Sequence, residues 1–174
     1  MLSHWNELLN TDCVVVDVGP HTIYPMFCGG STSVTQACDR QYINEDIADC
    51  KHINVLLRDP VERYVAGVNE YCLQHDKDII ETCKLIEQGQ LANRHFSPQY
   101  VWLLHLSKFY KGDITLRPLD YIKNITNIHV TGGDMNEHVP INKSFIEVDQ
   151  HLMKYINQTV NLVDIIRRYK NVLS

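Results

Sequence analysis

Short apolar runs separated by a helix-like segment dominate the first third of the chain. A β-branched run from Cys13 to Val18 ends at a Gly-Pro pair, and an extended segment follows from His21 to Tyr24. The run from Ile53 to Leu57 is nearly all apolar and ends at Arg58, which is typical of a buried parallel strand. The pattern therefore predicts two short strands, a helix from about Thr32 to Tyr42, and a third strand.

Capping residues mark helix boundaries in the middle of the chain. Asp59 before Pro60 favours a helix start, because Asp caps the first turn and Pro is tolerated at the first helical position. A second helix is predicted over 78–88 and ends at Gly89. A third helix opens at a Ser-Pro pair and covers 97–112.

The second half of the chain predicts two more strands and a helical C-terminus. Strand candidates at 114–116 and 128–130 flank a helical turn at 118–122. From 144 to 172 the apolar positions follow helical spacing. We therefore predict an α/β fold in a single domain over 1–174: a three-layer sandwich with a short, mostly parallel central sheet and a long C-terminal helical segment.

Composition and charge narrow the function without identifying it. The chain has 174 residues, 44% of them hydrophobic, and a formal net charge of −5 at pH 7. That charge disfavours nonspecific binding to nucleic acid or to an anionic membrane, so neither is expected as a partner. The cysteines form no Cys-x-x-Cys pair, and no ligand cluster indicates a metal. We expect reduced thiols, no metal, and a cytoplasmic protein whose oligomeric state is open.

The segment from Tyr24 to Val34 carries the strongest functional signal. An extended run enters it, a helix-compatible run leaves it, and its centre is rich in glycine and hydroxyl side chains. Glycine lets backbone N–H groups approach an anion, and hydroxyls add donors, so the segment predicts a P-loop-like phosphate cradle. Arg58, at the tip of a later strand, is suited to a second phosphate. Together they predict a nucleotide with two separated phosphates.

Four segments, in this order, resemble motifs of the sulfotransferase family, in particular its carbohydrate-type and marine-phage-like branch. The first is similar to the Pro-Lys-x-Gly-Ser-Thr-Ser loop, and the second to the Arg-Asp-Pro-x-Glu-Arg-x-x-Ser element. The third resembles a His-x-x-Pro-Gln segment and the fourth a late Pro-His-x-Asn-x-Ser segment. In this chain they begin at Pro25, Arg58, His95 and His138.

The resemblance implies a co-substrate, 3′-phosphoadenosine 5′-phosphosulfate, and transfer of its sulfo group to a hydroxyl of a carbohydrate or small metabolite. The residues implied to hold the 5′-phosphosulfate are Cys28, Gly29, Gly30, Ser31, Thr32 and Ser33. Arg58 is implied to hold the 3′-phosphate. His95 is our candidate base, because a neutral imidazole accepts a proton near pH 7. The substrate-binding candidates are Arg94, Gln99 and His138.

Two positions differ from the family pattern and keep an alternative open. Cys28 stands where the family has the lysine that neutralises the leaving phosphate, and Ala66 stands where it has a serine for the 3′-phosphate. Another cation, such as Arg40, Lys51, Arg94 or Lys143, is one possible substitute for the lysine. A nucleotide-binding or interaction module that has lost the chemistry is the main alternative. A nucleoside-triphosphate kinase is less favoured, because the chain lacks Gly-Lys-Ser/Thr.

Overall fold

A computed structural model describes residues 5–26, 31–125 and 138–170 of the chain. Its strands are β1 (Val14–Val18), β2 (His21–Tyr24), β3 (Arg40–Ile43), β4 (Ile53–Leu57), β5 (Asp113–Pro118) and β6 (Thr159–Asn161). Its α-helices are α1 (Asn6–Leu9), α2 (Ser31–Gln36), α3 (Pro60–His75), α4 (Ile79–Glu87), α5 (Gln99–Ser107), α6 (Ile122–Ile125), α7 (Lys143–Met153) and α8 (Leu162–Lys170). Short 3₁₀ helices cover Asn44–Asp49 and Leu119–Tyr121.

The six strands form one mixed sheet in the order β3-β1-β2-β4-β5-β6. The pairs β2–β4 and β4–β5 are parallel, whereas β1–β2, β1–β3 and β5–β6 are antiparallel. The prediction of a mostly parallel sheet is therefore wrong, because three of the five strand pairs are antiparallel. The parallel strands lie at the centre, and antiparallel strands continue the sheet on both sides of them.

Side chains of successive strand residues alternate between two apolar clusters, which confirms the α/β class. In β1, Val15 belongs to the larger cluster, together with residues of α3, α5, α7 and α8. Val16 belongs to the smaller cluster, with Val34 of α2 and Ile122 of α6. Because alternate residues of a strand face opposite sides, the two clusters cover the two faces of the sheet.

Aspartate caps mark where α3 and α4 begin, the one at Asp59 as predicted and the one at Asp78 as the structure shows it. The Asp59 carboxylate accepts a hydrogen bond from the Glu62 backbone N–H at 3.0 Å, and Asp78 accepts one from Glu81 at 2.9 Å. Pro60 occupies the first turn of α3, as expected. These two helix starts follow from residues close in sequence, and both predictions are confirmed.

Two predicted helices end earlier than expected. The helix expected to reach Tyr42 ends at Gln36, because 40–43 pairs with β1 as an edge strand. The third helix ends at Ser107 rather than at residue 112.

The long C-terminal helical segment is interrupted. Asn157 adopts a left-handed φ of 62° and donates its N–H to the Leu116 carbonyl at 2.6 Å, which turns the chain into β6 between α7 and α8. The predicted strand at 128–130 lies outside the described residues.

Candidate functional site

The candidate site lies where the parallel strands β2 and β4 end. Tyr24 of β2 is paired with Val55 of β4, so both strands reach the same edge of the sheet. β2 ends at Tyr24 and α2 begins at Ser31, and Arg58 follows the last residue of β4 directly. Ligands of open α/β sheets bind outside the carboxyl ends of strands. The two elements predicted to hold phosphates therefore leave the sheet at neighbouring positions on one edge.

Arg58 lies near this edge, where Glu62 of α3 is one of its neighbours. Its side chain is 12% exposed, and its Nε lies 3.7 Å from a Glu62 carboxylate oxygen. That distance exceeds a hydrogen bond, and the Glu62 side chain is 50% exposed. The contact with Glu62 is therefore a weak one, whereas a phosphate offers a guanidinium charge-assisted hydrogen bonds.

Gln99 links the start of α5 to the main chain of Arg58. Its Oε1 accepts the Arg58 backbone N–H at 2.9 Å, and its Nε2 donates to the Arg58 carbonyl at 3.0 Å. Gln99 itself is completely buried. Its amide is thus engaged with the backbone beside the predicted phosphate ligand, so the described contacts of Gln99 are positioning contacts.

A buried carboxylate holds the first turn of α5 in place. Asp149 of α7 is 3% exposed and accepts the backbone N–H groups of Gln99 at 2.7 Å and Tyr100 at 3.1 Å, one on each oxygen. Burial raises the pKa of Asp149 to about 6, while these hydrogen bonds and the charge of Arg63 oppose the rise. Asp149 therefore replaces the side-chain cap that α5 lacks at Pro98.

Arg63 and Ser97 complete this buried polar network. Arg63 is 2% exposed, and its Nη1 donates to the Ser97 carbonyl. The Ser97 hydroxyl donates to the Arg94 carbonyl at 3.1 Å and accepts the Trp102 indole N–H at 2.7 Å. These hydrogen bonds connect α3, the segment before α5 and α5 itself, and so hold the segment that enters α5 in place.

The other predicted phosphate ligands are placed only in part. Ser31, Thr32 and Ser33 form the beginning of α2, a helix of 6 residues. Cys28, Gly29 and Gly30 lie outside the described residues. Ala66, at the position of the family serine, is half-buried on α3.

His95 and Arg94 line a different cavity from the strand edge. This first cavity has a volume of about 360 Å³ and a wall that includes Trp5, Glu7, Gln74 and His75. His95 is 5% exposed, and its pKa is lowered by burial and, next, by the charge of Arg94. The structure thus brings the predicted base together with one predicted substrate ligand.

His138 is the remaining predicted substrate ligand, and it lies far along the chain from Arg58 and Gln99 and from Arg94 and His95. It is exposed at a turn that precedes α7. The neighbouring Val139 is buried in the larger apolar cluster.

A second cavity adjoins the strand edge, and the sequence did not indicate it. It has a volume of about 470 Å³ and lies where β1 begins and β2 ends. Its wall includes Cys13, Tyr24, Trp102 and His105. The lining residues come from five separate segments of the chain, so no local motif indicates that they lie close together. Asp149 was also missed, although a lone acid among the buried positions of an amphipathic helix was an available signal.

The histidines at these two cavities predict a dependence of stability on pH. Burial lowers the pKa of both His95 and His105 from the ordinary value of 6.5. Below about pH 6.5 the unfolded chain therefore binds protons that the folded chain does not, and the stabilisation is lost as the pH falls. We expect His105→Gln to make the free energy of unfolding less sensitive to pH between 7 and 5, measured by urea denaturation. An unchanged difference between the two proteins at both pH values would contradict this.

Comparison of the chain with protein-family models, curated proteins and solved structures found no match. In the parts of the chain that the structure describes, no helix is both long and apolar enough to cross a membrane. Within the same ranges, no three His, Cys, Asp or Glu side chains are grouped so that they could hold a metal ion.

Proposed function

We propose that the chain binds 3′-phosphoadenosine 5′-phosphosulfate across the ends of β2 and β4 and transfers its sulfo group to a hydroxyl. The observation that carries this proposal is the position of Arg58, at the tip of β4 and beside the strand that leads into the glycine-rich segment. A guanidinium there suits the 3′-phosphate, and the segment after β2 suits the 5′-phosphosulfate. The sulfotransferase-like order of motifs supports the same assignment.

The transfer follows the logic of phosphoryl transfer. The acceptor oxygen forms a new S–O bond while the S–O bond to the 5′-phosphate breaks, and the electron pair leaves with that phosphate. The acceptor proton passes to a base or to solvent, and the nucleotide product is adenosine 3′,5′-bisphosphate. The protein contributes by positioning both reactants and by stabilising charge on the leaving phosphate.

Binding of adenosine 3′,5′-bisphosphate tests the nucleotide half of the proposal. We expect calorimetry to show tighter binding of this nucleotide than of adenosine 5′-monophosphate. A charge-assisted hydrogen bond contributes about 1.5–3 kcal/mol, so Arg58→Ala should weaken bisphosphate binding by about 10- to 150-fold. The same substitution should leave binding of the monophosphate nearly unchanged.

Two variants control this measurement. Arg58→Lys keeps the charge but loses the planar fork, so we expect an intermediate loss. Arg168→Ala removes an exposed arginine of α8 and should have no effect. Equal binding of both nucleotides by the unmodified chain, or equal losses in all three variants, would refute the assignment of Arg58.

Binding without transfer is the second candidate function. The substitutions at Cys28 and Ala66 favour it, and so does the placement of His95 in the wall of a separate cavity. A radiolabelled sulfo donor tested against several hydroxyl acceptors distinguishes the two. If the unmodified chain binds nucleotide but transfers nothing, Cys28→Lys combined with Ala66→Ser should restore measurable transfer. Turnover by the unmodified chain would remove this candidate.

A further inference from the structure

The two cavities differ in their position relative to the ends of β2 and β4, where Arg58 lies. Pro25 and Thr35 line the second cavity, and these residues flank, in sequence, the segment proposed to hold the 5′-phosphosulfate. In the sheet, β2 separates β1 from β4. The second cavity therefore lies on the β1 side of β2, whereas Arg58 lies on the β4 side.

The first cavity lies farther along α3. Its α3 residues are Gln74 and His75, at the end of a helix that starts beside Arg58. Gln74 lies fourteen positions after Pro60, or about 21 Å along the helix axis, and His95 of the same cavity packs against Gly67, seven positions and about 11 Å from Pro60. A reacting hydroxyl has to come within about 3–3.5 Å of the sulfur atom, which the proposed function places in the segment between Pro25 and Thr35. The described wall of the first cavity contains neither of these two residues, so its position is less favourable for an acceptor than that of the second cavity.

The lining of the second cavity is mostly apolar and carries little charge. Among its described residues there is no lysine or arginine, and Asp12 supplies the one carboxylate. Burial raises the pKa of Cys13 to about 12, raises that of Tyr24 well above its usual range, and lowers that of His105. Those three side chains are uncharged near pH 7, so nothing described in the wall compensates a negative charge on a ligand.

Aromatic and amide side chains define what fits the second cavity. Tyr24 and Trp102 contribute an aromatic wall, while Gln36 and Gln41, both exposed, add hydrogen-bonding groups. The volume of about 470 Å³ falls within the usual range of small-molecule sites, about 300–1,000 Å³. An apolar surface with a few polar groups suits a compact hydroxyl compound better than a polyanionic chain.

We propose that the cavity at the start of β1 and the end of β2 is the acceptor site, and that it takes an uncharged hydroxyl compound with a flat apolar face. The inference rests on the proposed function, and it specifies the acceptor class and the entry point. It also moves the acceptor away from the cavity that contains His95 and Arg94. An acidic polysaccharide is not the preferred acceptor, because the described wall has no lysine or arginine to bind its negative charges.

The test compares two cavity-filling variants at exposed positions. Thr35→Trp fills the second cavity, and Gln74→Trp is the matched control in the first. We expect Thr35→Trp to lower kcat/KM for sulfo transfer to 2-naphthol by at least about tenfold, because the indole would occupy the space that the acceptor needs in the cavity. Gln74→Trp should leave it unchanged. Both variants should bind adenosine 3′,5′-bisphosphate and melt like the unmodified chain.

Calorimetric titration with 2-naphthol alone tests the cavity independently of the nucleotide. Binding that Thr35→Trp abolishes and Gln74→Trp preserves supports the cavity assignment even if the chain fails to bind the bisphosphate, a failure that would count against the proposed function alone. Loss of naphthol binding or transfer in Gln74→Trp but not in Thr35→Trp would overturn the assignment. Faster transfer to a non-sulfated acidic polysaccharide than to 2-naphthol would overturn the acceptor class. No naphthol binding by the unmodified chain would overturn both.

Discussion

Replacing Asp149 with alanine is expected to lower the free energy of unfolding by about 3–5 kcal/mol, because two buried backbone N–H groups lose a charged acceptor and each such hydrogen bond contributes about 1.5–3 kcal/mol. The carboxylate is almost completely buried and accepts two backbone N–H groups at the start of α5. Its removal leaves both donors without this acceptor and removes a negative charge that interacts favourably with Arg63. Urea denaturation measures the loss directly.

Two further variants separate charge from the loss of volume. Asp149→Asn keeps the size but turns one acceptor oxygen into a donor facing a backbone N–H, so we expect a loss of about 1–3 kcal/mol or more. Asp164→Ala removes an exposed acid of α8 and should change stability by less than about 0.5 kcal/mol. If Asp149→Ala matched this control, the capping role of Asp149 would be disproved.

The pH dependence of the Asp149 variants carries a distinctive sign. Burial raises the folded pKa of Asp149 to about 6 from the ordinary value of 3.8. Between these two values the folded chain retains a proton that the unfolded chain has lost, so stability falls as the pH rises through this window. Asp149→Asn should lack this component, and its stability relative to the unmodified chain should therefore improve as the pH rises from about 4 to about 6.

Signals between residues close in sequence account for the parts of the fold that could be predicted. The aspartates before α3 and α4 cap helices whose first turns they precede by one residue. The β-branched run before Gly19 forms β1, and the nearly apolar run before Arg58 forms β4. Each of these predictions needs only propensity, capping or hydrophobic pattern over a few residues.

Elements that depend on distant partners could not be predicted in the same way. Residues Arg40 to Ile43 are mostly exposed, and they form β3 because they pair with β1, with Tyr42 opposite Val15. Similarly, β6 forms only because β5 offers an edge. Strand pairing of this kind is set by tertiary context, which outweighs local propensity.

In the candidate site, too, features set by neighbouring residues could be predicted and contacts between distant residues could not. The position of Arg58 at the strand tip followed from the apolar run before it, and the structure places it there. The attachment of Gln99 to Arg58 spans 41 residues, and the cap from Asp149 to Gln99 spans 50. Contacts between residues so far apart in the chain cannot be recognised from sequence spacing. The sequence therefore predicts Gln99 as a substrate ligand, whereas the described contacts of its side chain are with the Arg58 backbone.

Gly67 gives the second large effect, because α3 packs directly against the segment that enters α5. A Cβ at this position would collide with the His95 carbonyl, lying 2.6 Å from its carbon and 3.1 Å from the Phe96 Cα. These are backbone atoms, so no side-chain rotation relieves the contact. In an open helix, Gly→Ala would instead stabilise by about 0.8–1.0 kcal/mol. A loss of stability in Gly67→Ala would therefore indicate close packing at this position, and a gain would indicate open space.

We expect Gly67→Ala to destabilise the protein by about 3 kcal/mol, at the upper end for overpacking of a rigid interior. Leu73→Ala on the same helix is the control, since Leu73 is 81% exposed and should have little effect. The displaced segment also leads to Gln99, whose amide holds the Arg58 backbone. Gly67→Ala should therefore weaken binding of adenosine 3′,5′-bisphosphate more than binding of adenosine 5′-monophosphate. A stabilised variant would show that α3 and this segment are farther apart than the structure places them.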